Sequence, residues 1–308
     1  MLIEVDIETY NHYFPVNPHP FLSAAFIELN KNKVDKIIRL VDSSSKPVLG
    51  IVAGLKDTVL SSPFSAPFGG FHFQKQNIYI SEIDNFINSM KSFMTLHGYS
   101  KIELTLPPDL YHPTFNAKVI NSLIRNGFQN EIPEITNWVN LSKFNGSFSQ
   151  RNSREYYNQA VRHGLSFSYV FESKEEQEAY ELIRNNREKF GRPIYMNLND
   201  IIRTRDLWPV DFFKVTDRGG AMVASAIIYQ NHPEICFPVF WGDNECGRPL
   251  RAMDFLAFNL WSYYKSKGYK FIDLGISTEN GCPNEGLLRF KESHEADSSL
   301  RYKFIWQN

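Results

Sequence analysis

The chain has 308 residues, 43% of them hydrophobic and 22% charged, with 25 Phe and 15 Tyr. That length suffices for two domains with separate cores, and the apolar content excludes extended disorder. A formal net charge of -1 excludes any global pull toward nucleic acid or an anionic membrane, so a tRNA partner needs a local patch and DNA is not expected.

In chain order, strands are expected over 51–55 and 58–60, followed by a Pro-, Ser- and Gly-rich loop over 62–70. A helix opens near Ser81, carries Phe86, Ile87, Met90, Phe93 and Met94 at helical spacing, and stops at Gly98. Then come a strand at 101–106, a helix at 116–125 and a strand around 135–141. The segment 141–146, rich in Ser, Asn and Gly, is the best linker, which divides the chain into 1–145 and 146–308.

The second half opens with a helix capped by Asn152 or Ser153 that ends at Gly164, and a strand at 165–171. Ser173 and Glu176 form a capping-box pattern for a helix that stops at Gly191. A helix at 199–206 precedes strands at 211–216, 221–229 and 234–241. After a loop, Pro249 stands at the first turn of a helix reaching Lys267. A strand at 271–275, a helix at 285–293 and a strand at 300–306 complete the order.

One unit occurs twice. Gly98-Tyr99-Ser100-Lys101-Ile102-Glu103-Leu104 and Gly268-Tyr269-Lys270-Phe271-Ile272-Asp273-Leu274 each follow an amphipathic stretch, about half a chain apart. Helix, glycine stop and buried strand in both copies argue for two tandem domains.

The three cysteines, Cys236, Cys246 and Cys282, form no C-x-x-C pair and have no zinc-like His spacing. Reduced thiols in a cytoplasmic protein are expected, with no metal. The first residues lack a basic start and an apolar core, so no secretory signal is expected, and no apolar run approaches the ~18 residues of a membrane span. G-x-S-x-G, phosphate-loop, H-E-x-x-H and G-x-G-x-x-G motifs are all missing.

The element order of the second half resembles the Gcn5-related N-acetyltransferase (GNAT) fold, and its tail is similar to the FemABX-type branch, which carries two such domains in tandem. The residues that carry the resemblance are Gly268-Tyr269, Phe271 to Gly275, and Gly286-Leu287-Leu288-Arg289-Phe290-Lys291-Glu292. A second patch, Arg151 to Arg154 through Ala160 to Leu165, resembles the basic helix that opens the family's second domain. The resemblance implies an α/β (α+β) chain of two tandem GNAT-like domains, each a mixed, mostly antiparallel sheet flanked by helices. The N-terminal copy is expected to be degenerate and to help shape the acceptor groove.

It further implies transfer of an acyl or aminoacyl group to an amine, the acceptor being a cell-envelope precursor of peptidoglycan or glycan type. The donor is acyl-CoA or aminoacyl-tRNA, with no tightly bound cofactor. Lys291, the family's Phe-Lys lysine, is the first catalytic expectation: its cation would stabilise the developing oxyanion or the leaving 3′-oxygen. A solvated lysine paired with Glu292 or Glu295 is the alternative. Asp273 is either a base with a pKa raised by burial or a carboxylate that hydrogen-bonds the following loop. Gly247, Arg248, Arg251 and Phe290 are expected at the donor, although Pro249 deletes an amide where CoA-binding loops need one. Arg151, Arg154, Arg192 and Tyr195 are expected at the acceptor. Two other readings stand beside this one: an acyl-CoA-dependent enzyme acting on an amino sugar or small amine, and a non-catalytic binding module.

Overall fold

The computed structural model describes every residue, Met1–Asn308. In chain order the elements are β1 (Leu2–Glu4), α1 (Ile7–Tyr13), α2 (Ala24–Leu29), β2 (Lys36–Asp42), β3 (Leu49–Lys56), β4 (Val59–Ser62), β5 (Phe71–Phe73), α3 (Ile80–His97), β6 (Lys101–Thr105), α4 (Pro113–Arg125) and β7 (Gln129–Asn130). They continue as β8 (Glu134–Asn140), α5 (Arg151–His163), β9 (Ser166–Tyr169), α6 (Ser173–Lys189), α7 (Leu198–Arg203), β10 (Val210–Thr216), β11 (Met222–Tyr229), β12 (Ile235–Asp243), α8 (Ala252–Ser266) and β13 (Phe271–Ile276). The chain closes with β14 (Thr278–Glu279), β15 (Cys282–Pro283), α9 (Glu285–Ser293), β16 (Ala296–Arg301) and β17 (Lys303–Gln307). No helix is long and apolar enough to cross a membrane.

Two compact units result, one of residues 1–136, 278–283 and 299–308, the other of 137–277 and 284–298. This differs from the expected halves at both ends. Val139, Leu141 and Phe144 are buried in the second core, so the segment read as the end of the first half belongs to the second unit. The stretch read as one final strand is two: β16 pairs in the second sheet, whereas β17 pairs antiparallel with β6, Phe304 facing Leu104. The apolar residues of β6 need a partner along that edge, and Phe304, fully buried, supplies it.

In the first unit the sheet runs β1-β2-β3-β4-β6-β17-β7, with β5 also on β3. Helix α3 packs on it through Phe86, Ile87, Met90 and Met94. Its parallel pair β4–β6 stays zipped from Val59↔Lys101 to Ser62↔Leu104. Beyond that pair the Gly69 N–H donates to the Thr105 carbonyl at 2.8 Å, and the rings of His19, Phe21, Phe68 and Tyr111 pack together around the same loop. The first copy therefore has no open split between its parallel strands.

The repeat is geometric as well as sequential. Gly98 and Gly268 both sit at positive φ, 67° and 88°, and the following Tyr99 and Tyr269 amides reach back to the Met94 and Tyr264 carbonyls. Each is a left-handed helix stop that feeds a strand. Three local expectations fail. Neither Asn152 nor Ser153 caps α5, whose N-cap is Gln150. Ser173 does not cap α6; its N-cap is Glu172, and Glu176 pairs instead with Arg205 at 2.5 Å. Pro249 lies in a turn ahead of α8 and not within its first turn.

Candidate active site at the split of the second sheet

The second sheet runs β16-β8-β13-β12-β11-β10-β9. Alternation along β11 divides its faces. Ala224, Ala226 and Ile228 pack with α8 in the main core, whereas the Ser225 hydroxyl donates to the Ala179 carbonyl of α6 at 2.8 Å. The parallel strands β12 and β13 pair only at Ile235↔Phe271 and Cys236↔Ile272, then diverge. On its other side β12 bulges: Ile227 faces Phe240 and Ile228 faces Pro238, which leaves Val239 as the extra residue. A bulge re-aims backbone groups, and a proline with no N–H to give is tolerated beside one. The outcome is a split in the sheet, and two of the candidate residues, Asp273 and Lys291, lie at its β13 wall.

Lys291 is 1% exposed. Its Nζ donates to the Gly275 and Ile276 carbonyls at the end of β13, each at 2.9 Å. Those carbonyls are presented by a built turn: Gly275 takes φ 67°, and the Asp273 carboxylate accepts its N–H at 2.9 Å. Burial lowers the Lys291 pKa to about 7, against the opposing pull of the Asp273 charge. The solvated lysine paired with Glu292 or Glu295 is thereby replaced by a desolvated one. Asp273, 1% exposed, makes the loop hydrogen bond that was one of its two expected roles, whereas Glu103 in the first copy is a partly exposed partner of Lys101 and Lys303.

Helix α9 is fastened so that Lys291 stays in place. The Asn284 side chain caps it at the Leu287 N–H, and the Asn284 N–H donates to the Ser277 carbonyl at 2.9 Å. At its other end His294 Nε2 lies 3.0 Å from Asp254 of α8, and the Trp261 indole donates to the His294 carbonyl at 3.0 Å. Phe290, expected at the donor, lies between the His294 ring at 4.1 Å and Trp241 at 5.6 Å.

The expected donor loop is occupied by its own hydrogen bonds. The Gly247 and Arg248 amides point to Asn244, the Leu250 and Ala252 amides to the Gly247 carbonyl, and the Arg251 amide to the Arg248 carbonyl; Pro249 has none. An anion at this helix start would meet few free N–H groups. The guanidiniums are engaged too: Arg251 lies 3.8 Å over the Tyr156 ring, and Arg248 stands 5.0 Å over Phe190 and 3.6 Å from Asp243. A cavity of about 520 Å³ beside the loop is lined by Glu178, Glu181, Asp243 and Glu245 against Lys189 and Arg248, a rim unsuited to a polyanionic cofactor.

The structure does not bring the four expected acceptor residues together. Arg154 is tied to the Phe148 and Ser149 carbonyls at 2.9 and 2.5 Å, and Arg151 is exposed on the first turn of α5. No contact joins either to Arg192 or Tyr195, which lie in the loop after α6. That loop is pinned on the α6 face, where Tyr180 donates to the Met196 carbonyl at 3.1 Å; Tyr195 itself is 95% exposed. Sequence reasoning missed Arg187 on α6, whose guanidinium stands 5.7 Å over Phe240 of β12. The only sequence signal was its place one helical turn from Arg184 on a charged helix.

Compared with solved structures, the chain resembles FemX over all of its length and 97% of that chain, with a TM-score of 0.69 at 11% identity. The fold is that of the FemX-type tandem GNAT proteins. A tandem GNAT protein from the clavulanic acid biosynthesis pathway matches over 100% of this chain and 98% of its own, with a TM-score of 0.60 at 10% identity. L-PGS from Bacillus licheniformis matches over 98% and 92%, with a TM-score of 0.56 at 15% identity. No protein-family description matches the chain, and no curated protein does.

Proposed function

We propose that the chain transfers an acyl or aminoacyl group to the amine of a cell-envelope precursor, as the FemABX resemblance implies. The observation that carries the reading is Lys291, a buried amine held by two carbonyls at the wall of the sheet split. A neutral acceptor amine attacks the donor carbonyl, and the C=O electron pair moves to oxygen. The Lys291 ammonium has three N–H groups, of which the Gly275 and Ile276 carbonyls take two. The third stabilises the oxyanion in a site from which water is excluded, a contribution of ~3–4 kcal/mol for such a donor. The oxyanion then collapses and expels the leaving group, the 3′-oxygen of the tRNA or the CoA sulfur, and the proton that the attacking nitrogen gives up passes to that leaving atom. Asp273 acts through the Gly275 turn and is a positioning residue in this scheme.

The donor best supported is an aminoacyl-tRNA, because the loop that would cradle CoA phosphates spends its amides internally. Thermal shift with acetyl-CoA, longer acyl-CoAs and a charged-tRNA mixture tests this, since a ligand of the native state raises its melting temperature. Stabilisation by charged tRNA that weakens with salt is expected. Stabilisation by a CoA thioester would overturn the donor assignment, and full transfer by Lys291→Met would remove Lys291 from the reaction.

A further inference from the structure

The second unit is made of two stretches, 137–277 and 284–298, and their four end residues are tied to one another. Asn137, fully buried on β8, donates from Nδ2 to the Ser298 hydroxyl of β16 at 2.8 Å and accepts at Oδ1 from the Ser277 hydroxyl, just past β13, at 2.5 Å. The Ser277 carbonyl in turn accepts the Asn284 N–H at 2.9 Å. Between Ser277 and Asn284 the chain belongs to the first unit, where Thr278 Oγ1 accepts the Ile135 N–H at 2.9 Å and donates to Glu134. Asparagine is a poor strand former, and a buried amide costs stability unless its groups are bonded. Here β8 lies between β16 and β13, so one amide, an acceptor at one end and a donor at the other, bridges both neighbours as an apolar side chain would not.

This clasp stands between the hairpin β14–β15 and the groups that hold Lys291. Gly275 and Ile276, whose carbonyls accept from the lysine, directly precede Ser277, and Asn284 caps α9, which carries the lysine. Carbonyls and ammonium are thus the two ends of one loop of chain, and the bond from Asn284 to Ser277 pins that loop across its middle. We propose that Asn137 is a positioning residue for Lys291: by holding Ser277 it keeps the Gly275 and Ile276 carbonyls and the start of α9 in the geometry that directs the third N–H of Lys291 into the split. A misplacement of about 1 Å in a group that stabilises developing charge is enough to slow a reaction. The consequence for catalysis rests on the transfer reaction proposed above; the hold on the buried lysine does not.

The ¹⁵Nζ resonance of Lys291, followed with pH in the full chain, reads the hold without turnover. Asn137→Ala and Ser277→Ala each break the clasp and let water reach the ammonium, so its titration should climb from about 7 toward the ordinary 10.5 by about one pH unit or more. Asp273, whose charge also acts on Lys291, is untouched in both variants. Asp211→Ala unties a different buried network of the same unit; it controls for lost stability alone and should leave the titration in place. Should Asn137→Ala fail to fold, Ser277→Ala, which removes a single hydroxyl, decides alone. A Lys291 titration unmoved in the clasp variants, or moved as far by Asp211→Ala, would overturn the proposal. With a charged-tRNA mixture as donor and a soluble peptidoglycan precursor as acceptor, kcat should fall about tenfold or more in both variants while KM changes little. A wild-type protein that transfers nothing refutes the reaction and leaves the clasp, on which the titration still decides. Undiminished kcat in variants whose lysine has shifted refutes the positioning role.

Discussion

Lys291 makes the stability of the fold depend on pH in a direction that can be worked out. In the unfolded chain it titrates at its ordinary 10.5, and in the fold at about 7. Between these values the unfolded chain holds a proton that the folded one has released, so stability rises with pH across the window. The penalty for burying the ammonium is complete below about 7 and gone above 10.5. At ~1.4 kcal/mol per pH unit, the step from about pH 7 to about pH 9 is worth ~2–3 kcal/mol. Lys291→Met removes the group from both states, and the two carbonyls it leaves without a donor cost the same at either pH. The difference between wild-type and variant unfolding free energies, from urea denaturation at the two pH values, therefore isolates the lysine. Wild type should gain ~2–3 kcal/mol on the variant as pH rises. A flat difference would mean that Lys291 is an ordinary lysine, and the reasoning from its burial would be refuted.

Three further outcomes follow from the packing. Asp211, 4% exposed, accepts from Tyr264 and Gln230 at 2.6 Å each and from Tyr169 at 3.1 Å; Asp211→Ala strands all three donors and should cost ~3 kcal/mol or more in urea melts. An added Cβ meets nothing within 4 Å at Gly98 or Gly268, both at positive φ. Gly98→Ala and Gly268→Ala should thus each cost only the left-handed backbone strain, ~1–2 kcal/mol, and unequal effects would deny that the two helix stops are equivalent. Phe304→Ala should cost ~3–5 kcal/mol and speed hydrogen exchange in β6, not in β13; protection lost from β13 instead would contradict the place of β17.

The features readable in advance were local ones. Gly98 and Gly268 advertise helix stops because the left-handed conformation selects glycine, and the alternating residues of 101–106 and 271–275 mark buried strands whatever surrounds them. Lys291 was found through a short string at fixed distance from the Asp273 strand. Its burial was not visible, since that depends on Gly275 turning two carbonyls inward. The Asp211 cluster joins residues from β9, β10 and α8 with Gln230, which follows β11, and no window of sequence contains it. The departure of β17 to the first sheet was hidden for the same reason: an apolar strand fits any edge with a matching core, and sequence order favours the nearer one. Arg187 was passed over because an arginine on a charged helix is ordinarily solvated, and only the fold sets it over Phe240.

The two copies differ where chemistry would require it. In both, a helix stop delivers a strand parallel to its neighbour, but β4 and β6 remain paired over four residues and the aromatic loop packs beyond them, whereas β12 and β13 part after two. Parting costs ladder hydrogen bonds, so it persists only where something else satisfies the exposed backbone. In the second sheet that partner is Lys291, which occupies the Gly275 and Ile276 carbonyls; the first copy has Thr105 and Leu106 at the corresponding positions, and the Thr105 carbonyl accepts from Gly69. The same lysine thus props the split open and supplies the charge proposed for catalysis. Asp273→Asn should separate these roles: an amide can still accept from the Gly275 N–H, so the turn survives, but the loss of the carboxylate charge lowers the Lys291 pKa further. The pH at which Lys291 titrates, read from its ¹⁵N resonance, should fall in this variant while the melting temperature changes little. An unmoved titration would show that Asp273 serves the turn alone.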